Sequence, residues 1–273
     1  MFGINLTTIL GLILGVGSVF LSGAMEVLHL NPKGINPFLK PSAIIVIFGG
    51  TIGATMLGIS WSTFLRIPKL LWLTLKEPKY DPKQLINTFV SFAEKARREG
   101  ILTLEADLEE IEDLFFKKGL QLVVDGVDPE TVKALLENEI ENTKLRHKEG
   151  MDVFNQMGGY APTMGIVGTV LGLIAALAMA AAGEETGKVV GAIATAFIAT
   201  FYGISSANLI FLPLQEKLKV LDEVEERYRE LVMFGLISLM SGDNPGIVNE
   251  KLSVFLRKRE RYGGREEEAQ EKR

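Results

Sequence analysis

Four stretches of this chain contain no charged side chain: Met1–Met25, Pro41–Leu65, Val153–Gly183 and Val189–Gln215. Their lengths are 25, 25, 31 and 27 residues, and each exceeds the roughly 18–20 residues that a helix needs to cross a bilayer core. Soluble helices of this length carry a polar face, so the set of four points to a membrane. Segregation on this scale explains how a chain that is 47% hydrophobic can also be 23% charged. The pattern predicts an all-α membrane protein with four transmembrane helices in a two-plus-two arrangement. The first stretch lacks a basic n-region, and its apolar run is too long for a cleaved signal, so it reads as a retained helix.

The expected organisation follows. Residues 1–60 hold transmembrane helices one and two, and 61–152 form a helical domain. Residues 153–214 hold helices three and four, and 215–273 form C-terminal helices and a charged tail. Arg66, Lys69, Lys76 and Lys79 follow the second span, and Lys217, Lys219 and Arg227 follow the fourth. Lys33 and Lys40 lie between the first two spans, and Lys188 lies between the last two beside Glu184 and Glu185. Positive residues remain inside, so both termini and the central domain are assigned to the cytoplasm, with the chain in the inner membrane.

The soluble portions read as helical throughout. Pro82 opens a helix with Leu85, Phe89, Phe92 and Ala96 on one face, and Gly100 punctuates it. A second helix is expected from about Leu102, bearing Leu104, Leu108, Ile111 and Phe115. Asp128-Pro129-Glu130 is a helix start, with Val132, Leu135, Leu136 and Ile140 as the buried stripe and the helix running on into span three. A periodic segment follows span four to about Met240, and Asn244-Pro245 caps a last helix bearing Val248, Leu252, Phe255 and Leu256.

Cysteine is absent, which excludes disulfides and thiolate metal sites. His29 and His147 are too far apart in the chain to suggest a metal centre. A net charge of −5 argues against nucleic-acid binding. No nucleophile, catalytic base or phosphate loop appears, so an enzyme is not expected, and no cofactor is implied.

Within the spans, small residues recur at packing intervals. Gly11 and Gly15, Gly49 and Gly53, and Gly168 and Gly172 form GxxxG pairs, and span four carries Gly191, Thr195, Ala199, Gly203 and Ala207 at i+4 spacing. That stripe implies close contact with another helix or subunit. No Asp, Glu, Lys, Arg or His lies mid-span, although a cation pathway needs charge or several oxygens in a low dielectric. Hydroxyls and amides are present instead: Thr169 in span three, and Thr200, Tyr202, Ser205, Ser206 and Asn208 in span four. Thr200 and Asn208 are eight residues apart and share a face. Each threonine also reads as an ordinary back-bond to the preceding turn. If the chain conducts ions, another polypeptide must supply the carboxylate. Pro162 reads as opening span three and Pro213 as closing span four. A helix start and a kink, or bend points coupling the membrane to the soluble helices, both fit.

The segment Gly159–Ile174, GYAPTMGIVGTVLGLI, resembles the signature of the MotA/TolQ/ExbB family of ion-channel subunits. Ala96–Glu105 (ARREGILTLE), Ala207–Pro213 (ANLIFLP) and Gly242–Pro245 (GDNP) agree with it. Four spans with a central soluble domain resemble the flagellar stator branch, MotA and PomA, and the similarity covers nearly the whole chain apart from the tail.

The resemblance implies a homo-oligomeric ring of five such subunits in membrane lipid, around a dimer of a single-span MotB-like partner carrying the ion-binding Asp. Ion passage would drive the ring against the rotor protein FliG. Arg97 and Glu105 match the family's rotor-facing charges and Arg98 a second basic residue of some members, although exposed helix charges also read as a solvated face. Pro162 and Pro213 match its torque-linked prolines. Thr169 and Thr200 match threonines lining the ion path of sodium-driven members, so transported Na+ is expected, with H+ as the alternative. A second reading is an ExbB/TolQ-like energiser of an outer-membrane system.

Overall fold

The computed structural model describes residues 3–4, 6–30, 40–77, 80–257 and 261. Lys33, Lys79, the side chain of His29 and, apart from Arg261, the charged tail beyond Arg257 lie outside the described residues. Almost all of the described chain is helical. A two-residue antiparallel pairing of Gly3–Ile4 with Lys76–Glu77 is the only β structure among the described residues. The chain forms two compact units, Met1–Pro78 with His147–Leu221, and Lys79–Arg146 with Asp222–Arg273.

Four helices are long and apolar enough to cross a membrane: Leu6–Leu30, Pro41–Gly58, Pro129–Ala181 and Thr186–Met240. No more than 28% of the most apolar window of each is buried within the chain. Leu14, Leu57, Leu177 and Phe197 are among the large side chains left facing outward. Apolar surface of this extent requires a non-aqueous surround. The second helix is shorter than the sequence suggests. It ends at Gly58 because Ile59 turns extended, and Ser60 then accepts from the Thr63 amide to cap the turn Trp61–Phe64. At 18 residues it spans about 27 Å, close to a hydrocarbon core of roughly 30 Å.

Both prolines lie inside helices that run on past them. Pro162 lies inside the continuous 53-residue helix Pro129–Ala181, so it is not a helix start. A proline there forfeits one amide donor and frees the Gly158 carbonyl one turn back, yet the helix continues through it. Pro213 does not end its helix either. The helix continues to Met240, and a π-turn at Ala207–Phe211 ends two residues before the proline. The wider i→i+5 turn accommodates a residue that cannot donate to the preceding turn.

The second unit is built around one core. Asp81, Asp113, Asp128 and Asn244 cap their helices by accepting backbone N–H groups, which fixes where Pro82–Glu99, Leu114–Val124, Pro129–Ala181 and Pro245–Ser253 begin. Phe89, Leu104, Leu120, Val132, Leu136, Leu236, Val248 and Leu252 are fully buried together. Phe89 stacks obliquely on Phe116 at 5.0 Å. Tyr80 and Tyr228 stack at 4.4 Å, and burial, reinforced by Glu225 and Asp113, pushes the Tyr80 phenol up to about 12.

Two expectations fail here. The helix expected from about Leu102 is a 3₁₀ segment, Ile101–Glu110, that stops before a separate helix at Leu114. Asp113 is taken as the N-cap of that later helix, and an α-helix through this stretch would stack Glu105 on Glu109 and Glu109 on Asp113 at i, i+4. Leu135 is exposed, whereas Val132, Leu136 and Ile140 are buried. At about 100° per residue, Leu135 falls roughly 100° from the middle of that buried arc.

Candidate functional site

The third and fourth apolar helices approach so closely that side chains have no room at four positions. A Cβ on Gly168 or Gly172 would lie 2.6 Å from the Cβ of Ala199 or Ala196. One on Gly203 would lie 2.6 Å from the Ala161 carbonyl oxygen, and one on Gly165 would lie 3.2 Å from Thr200 Cα. Van der Waals packing of backbone on backbone holds this seam, as small-residue stripes allow inside a membrane. The Ala199–Gly203 part of the fourth-helix stripe therefore meets a helix of the same chain. Gly11, Gly49 and Gly53 meet nothing within 4 Å, so two of the three GxxxG pairs make no comparable contact.

Close approach brings Thr169 and Thr200 together, hydroxyl to hydroxyl. Thr169 Oγ1 also lies 3.0 Å from the Gly165 carbonyl and 3.3 Å from the Ala196 carbonyl. Thr200 Oγ1 lies 3.4 Å from the same Gly165 carbonyl. Each hydroxyl has one proton to give. The two carbonyls also accept the helix amides of Thr169 and Thr200, so the lone pairs left over on this half-buried site, in spans without a charge, are chiefly those of the hydroxyls. Such a cluster suits a hard cation or an incoming proton donor. Sequence reasoning found the threonines but missed the Gly165 and Ala196 carbonyls. The glycine periodicity was the available signal for them.

Asn208 does not join this cluster. Its amide donates to the Ile204 carbonyl at 2.9 Å, and Ser206 donates to Gly203 at 3.1 Å, so both are local back-bonds.

Pro162 and Pro213 border one packed cluster containing Val153, Phe154, Met157, Ala161, Ala207 and Phe211. Leu212 fills the space beside Gly158, where a Cβ would come within 2.4 Å of it. A shift of either proline-bearing turn is therefore felt by the same side chains.

Arg97 and Arg98 close the helix Pro82–Glu99, where the helix dipole favours cations. Gly100, at φ 92°, turns the chain into Ile101–Glu110, which carries Glu105. A Lys95–Asp107 ion pair at 2.7 Å ties the two segments, and its sequence signal was a charge pattern too common to interpret. All three predicted residues are exposed, and none forms an ion pair among the described residues. The turn is braced while these charges remain available.

Fold and site together define a multi-pass α-helical membrane protein whose close-packed helices bring hydroxyl and carbonyl oxygens together in a charge-free interior. Residues 107–231 match the model of the MotA/TolQ/ExbB proton channel family. Motility protein A of Borreliella burgdorferi is 36% identical over 94% of this chain and 96% of its own length. Motility protein A of Bacillus subtilis is 36% identical over 93% and 92%, respectively. The flagellar MotAB stator complex from Bacillus subtilis has a chain that superposes with a TM-score of 0.86, at 33% identity, covering 95% of this chain and 99% of that one. The chain belongs to the MotA/TolQ/ExbB family, a family of channel subunits. Its similarity to motility proteins and to a stator complex along nearly its whole length supports a stator role.

Proposed function

We propose that this chain is a stator subunit of the bacterial flagellar motor, coupled to sodium. The observation that carries the reading is the Thr169–Thr200 oxygen cluster, set in spans that lack a charge of their own. The two hydroxyl oxygens, with the carbonyls beside them, can replace part of a sodium hydration shell, but neutral ligands alone leave the charge uncompensated. The missing carboxylate comes from a single-span MotB-like partner, a partner type consistent with the MotAB complex that this chain resembles. In this reading five subunits ring a partner dimer in the inner membrane, with both termini cytoplasmic. Spans three and four line the path, and one and two brace it from outside.

The proposed domain order is 1–60, 61–152, 153–214 and 215–273, the second and last being cytoplasmic. Ion passage shifts the cluster between Pro162 and Pro213, and the exposed Arg97, Arg98 and Glu105 push FliG. No cofactor is needed beyond the transported ion. Swimming of a stator-less flagellated host carrying this chain and its partner, measured across a sodium series at fixed pH with and without protonophore, tests the coupling. Speed that rises with sodium and survives protonophore supports it. Speed indifferent to sodium and abolished by protonophore replaces sodium with H+. Flux without any motility favours the ExbB/TolQ-like reading.

A further inference from the structure

The chain has two tryptophans, and both lie in the short segment after the second apolar helix. Trp61 stacks on Phe64 at 5.4 Å and is 63% exposed, and Trp72 is 61% exposed beneath the Lys76 ammonium, 5.3 Å from its ring centre. Helix Ile67–Thr74 docks through Ile67, Leu70 and Thr74, which are the sheltered positions, with Leu70 packed onto Gly150. Its other face leaves Leu65, Arg66, Lys69 and Leu73 outward. From Trp61 to Lys76 there are three cations and no acid, in a chain of net charge −5. Exposed aromatic rings with cations on a short amphipathic helix are the composition of a membrane interface, and local positive charge selects anionic headgroups.

Leu71, Thr74 and Leu75 of this helix also line a groove of about 650 Å³. Its other wall is Gly11 and Leu12 of the first helix, with Leu209 and Pro213 of the fourth. Lys217 stands on its rim, beside Glu216, the one acid among the lining residues. An apolar slot with Lys217 among its lining residues, walled by a helix whose outward face carries Lys69 and follows Arg66, matches an acyl chain joined to a negatively charged head that reaches over that helix.

We propose that Trp61–Lys76 and this groove form a binding site for anionic phospholipid, the acyl chain lying against Leu71 and Leu209 and the headgroup pairing with Arg66, Lys69 and Lys217. The occupied groove abuts Pro213 and the π-turn, so the lipid stiffens the place where the fourth helix departs from α geometry. The inference rests on the membrane-spanning reading and not on the stator role.

The test uses the full chain in phosphatidylcholine vesicles. A fixed mole fraction is replaced by acyl-brominated phosphatidylglycerol or, in parallel, by acyl-brominated phosphatidylcholine. Both tryptophans lie in the site, so quenching of intrinsic fluorescence reads its lipid neighbours directly. Brominated phosphatidylglycerol is expected to associate roughly fivefold more strongly than the zwitterionic lipid, and less so in high salt. An Arg66→Gln/Lys69→Gln/Lys217→Gln variant should bring the ratio near one while retaining quenching by brominated phosphatidylcholine. Equal quenching of the natural chain by both lipids overturns the proposal. Quenching by neither also overturns it and gives this face to a second copy of the chain. Neither readout depends on ion flux or motility, so failure here is distinguishable from failure of the stator reading.

Discussion

Thr169 and Thr200 touch through their hydroxyls where Gly165 and Gly203 let two helix backbones approach. Replacing either threonine with valine keeps the shape and removes one oxygen. Losing one oxygen contact to a cation, worth about 1.5 kcal/mol, raises the sodium concentration for half-maximal swimming speed about tenfold. Thr169→Ser, which keeps the oxygen, should remain near the natural value. Speed against sodium for the three variants checks this.

The seam itself should be intolerant of one methyl group. Gly172→Ala and Gly203→Ala each place a Cβ within 2.6 Å of a neighbour in the opposing helix. Overpacking of this kind costs about 1–3 kcal/mol. Gly17→Ala meets nothing within 4 Å and should be neutral or slightly stabilising. Thermal unfolding of the three variants in one detergent gives the comparison.

At the braced turn, function and stability should separate. Arg97→Glu and Glu105→Lys alter exposed charges without an ion-pair partner among the described residues, so stability should change by less than about 0.5 kcal/mol. Motility should nonetheless be lost, and reversed charges on FliG should restore it. Lys95→Met breaks the pair with Asp107 and should cost up to about 1 kcal/mol. Swimming assays beside thermal melts distinguish the two classes.

Asp243 supplies a pH signature. Lys251 and then Ser238 donate to its carboxylate and hold it below the usual carboxylate range. Because the folded-state value is depressed, the stabilisation is present above the ordinary unfolded value near 3.9. It is lost as pH falls through the lower folded value. Asp243→Asn should lower stability at neutral pH and flatten its acid limb, which melts between about pH 2 and 6 would show.

What was legible followed from local chemistry. The helix start at Asp128-Pro129 is visible because a cap and a proline act on their own neighbours, and Asp128 does accept from Thr131. The stretch that lacks charge names a membrane helix for the same reason. That the helices run on through Pro162 and Pro213 was not legible, because whether a proline ends a helix depends on how the neighbouring turns accommodate it. The π-turn at Ala207–Phe211 provides that accommodation ahead of Pro213. Leu135 was misassigned because the width of a buried arc is set by the opposing core. The threonines of the site could be named from the chain. Their contact could not, since it depends on glycines in two helices facing one another.

The central claim is that this chain offers oxygens and borrows its carboxylate. Rotation of tethered, stator-less cells carrying the chain with a single-span partner tests it most directly, comparing that partner's membrane aspartate with asparagine in its place. The account predicts rotation with aspartate and none with asparagine. Undiminished rotation with asparagine, or with no partner at all, would contradict it.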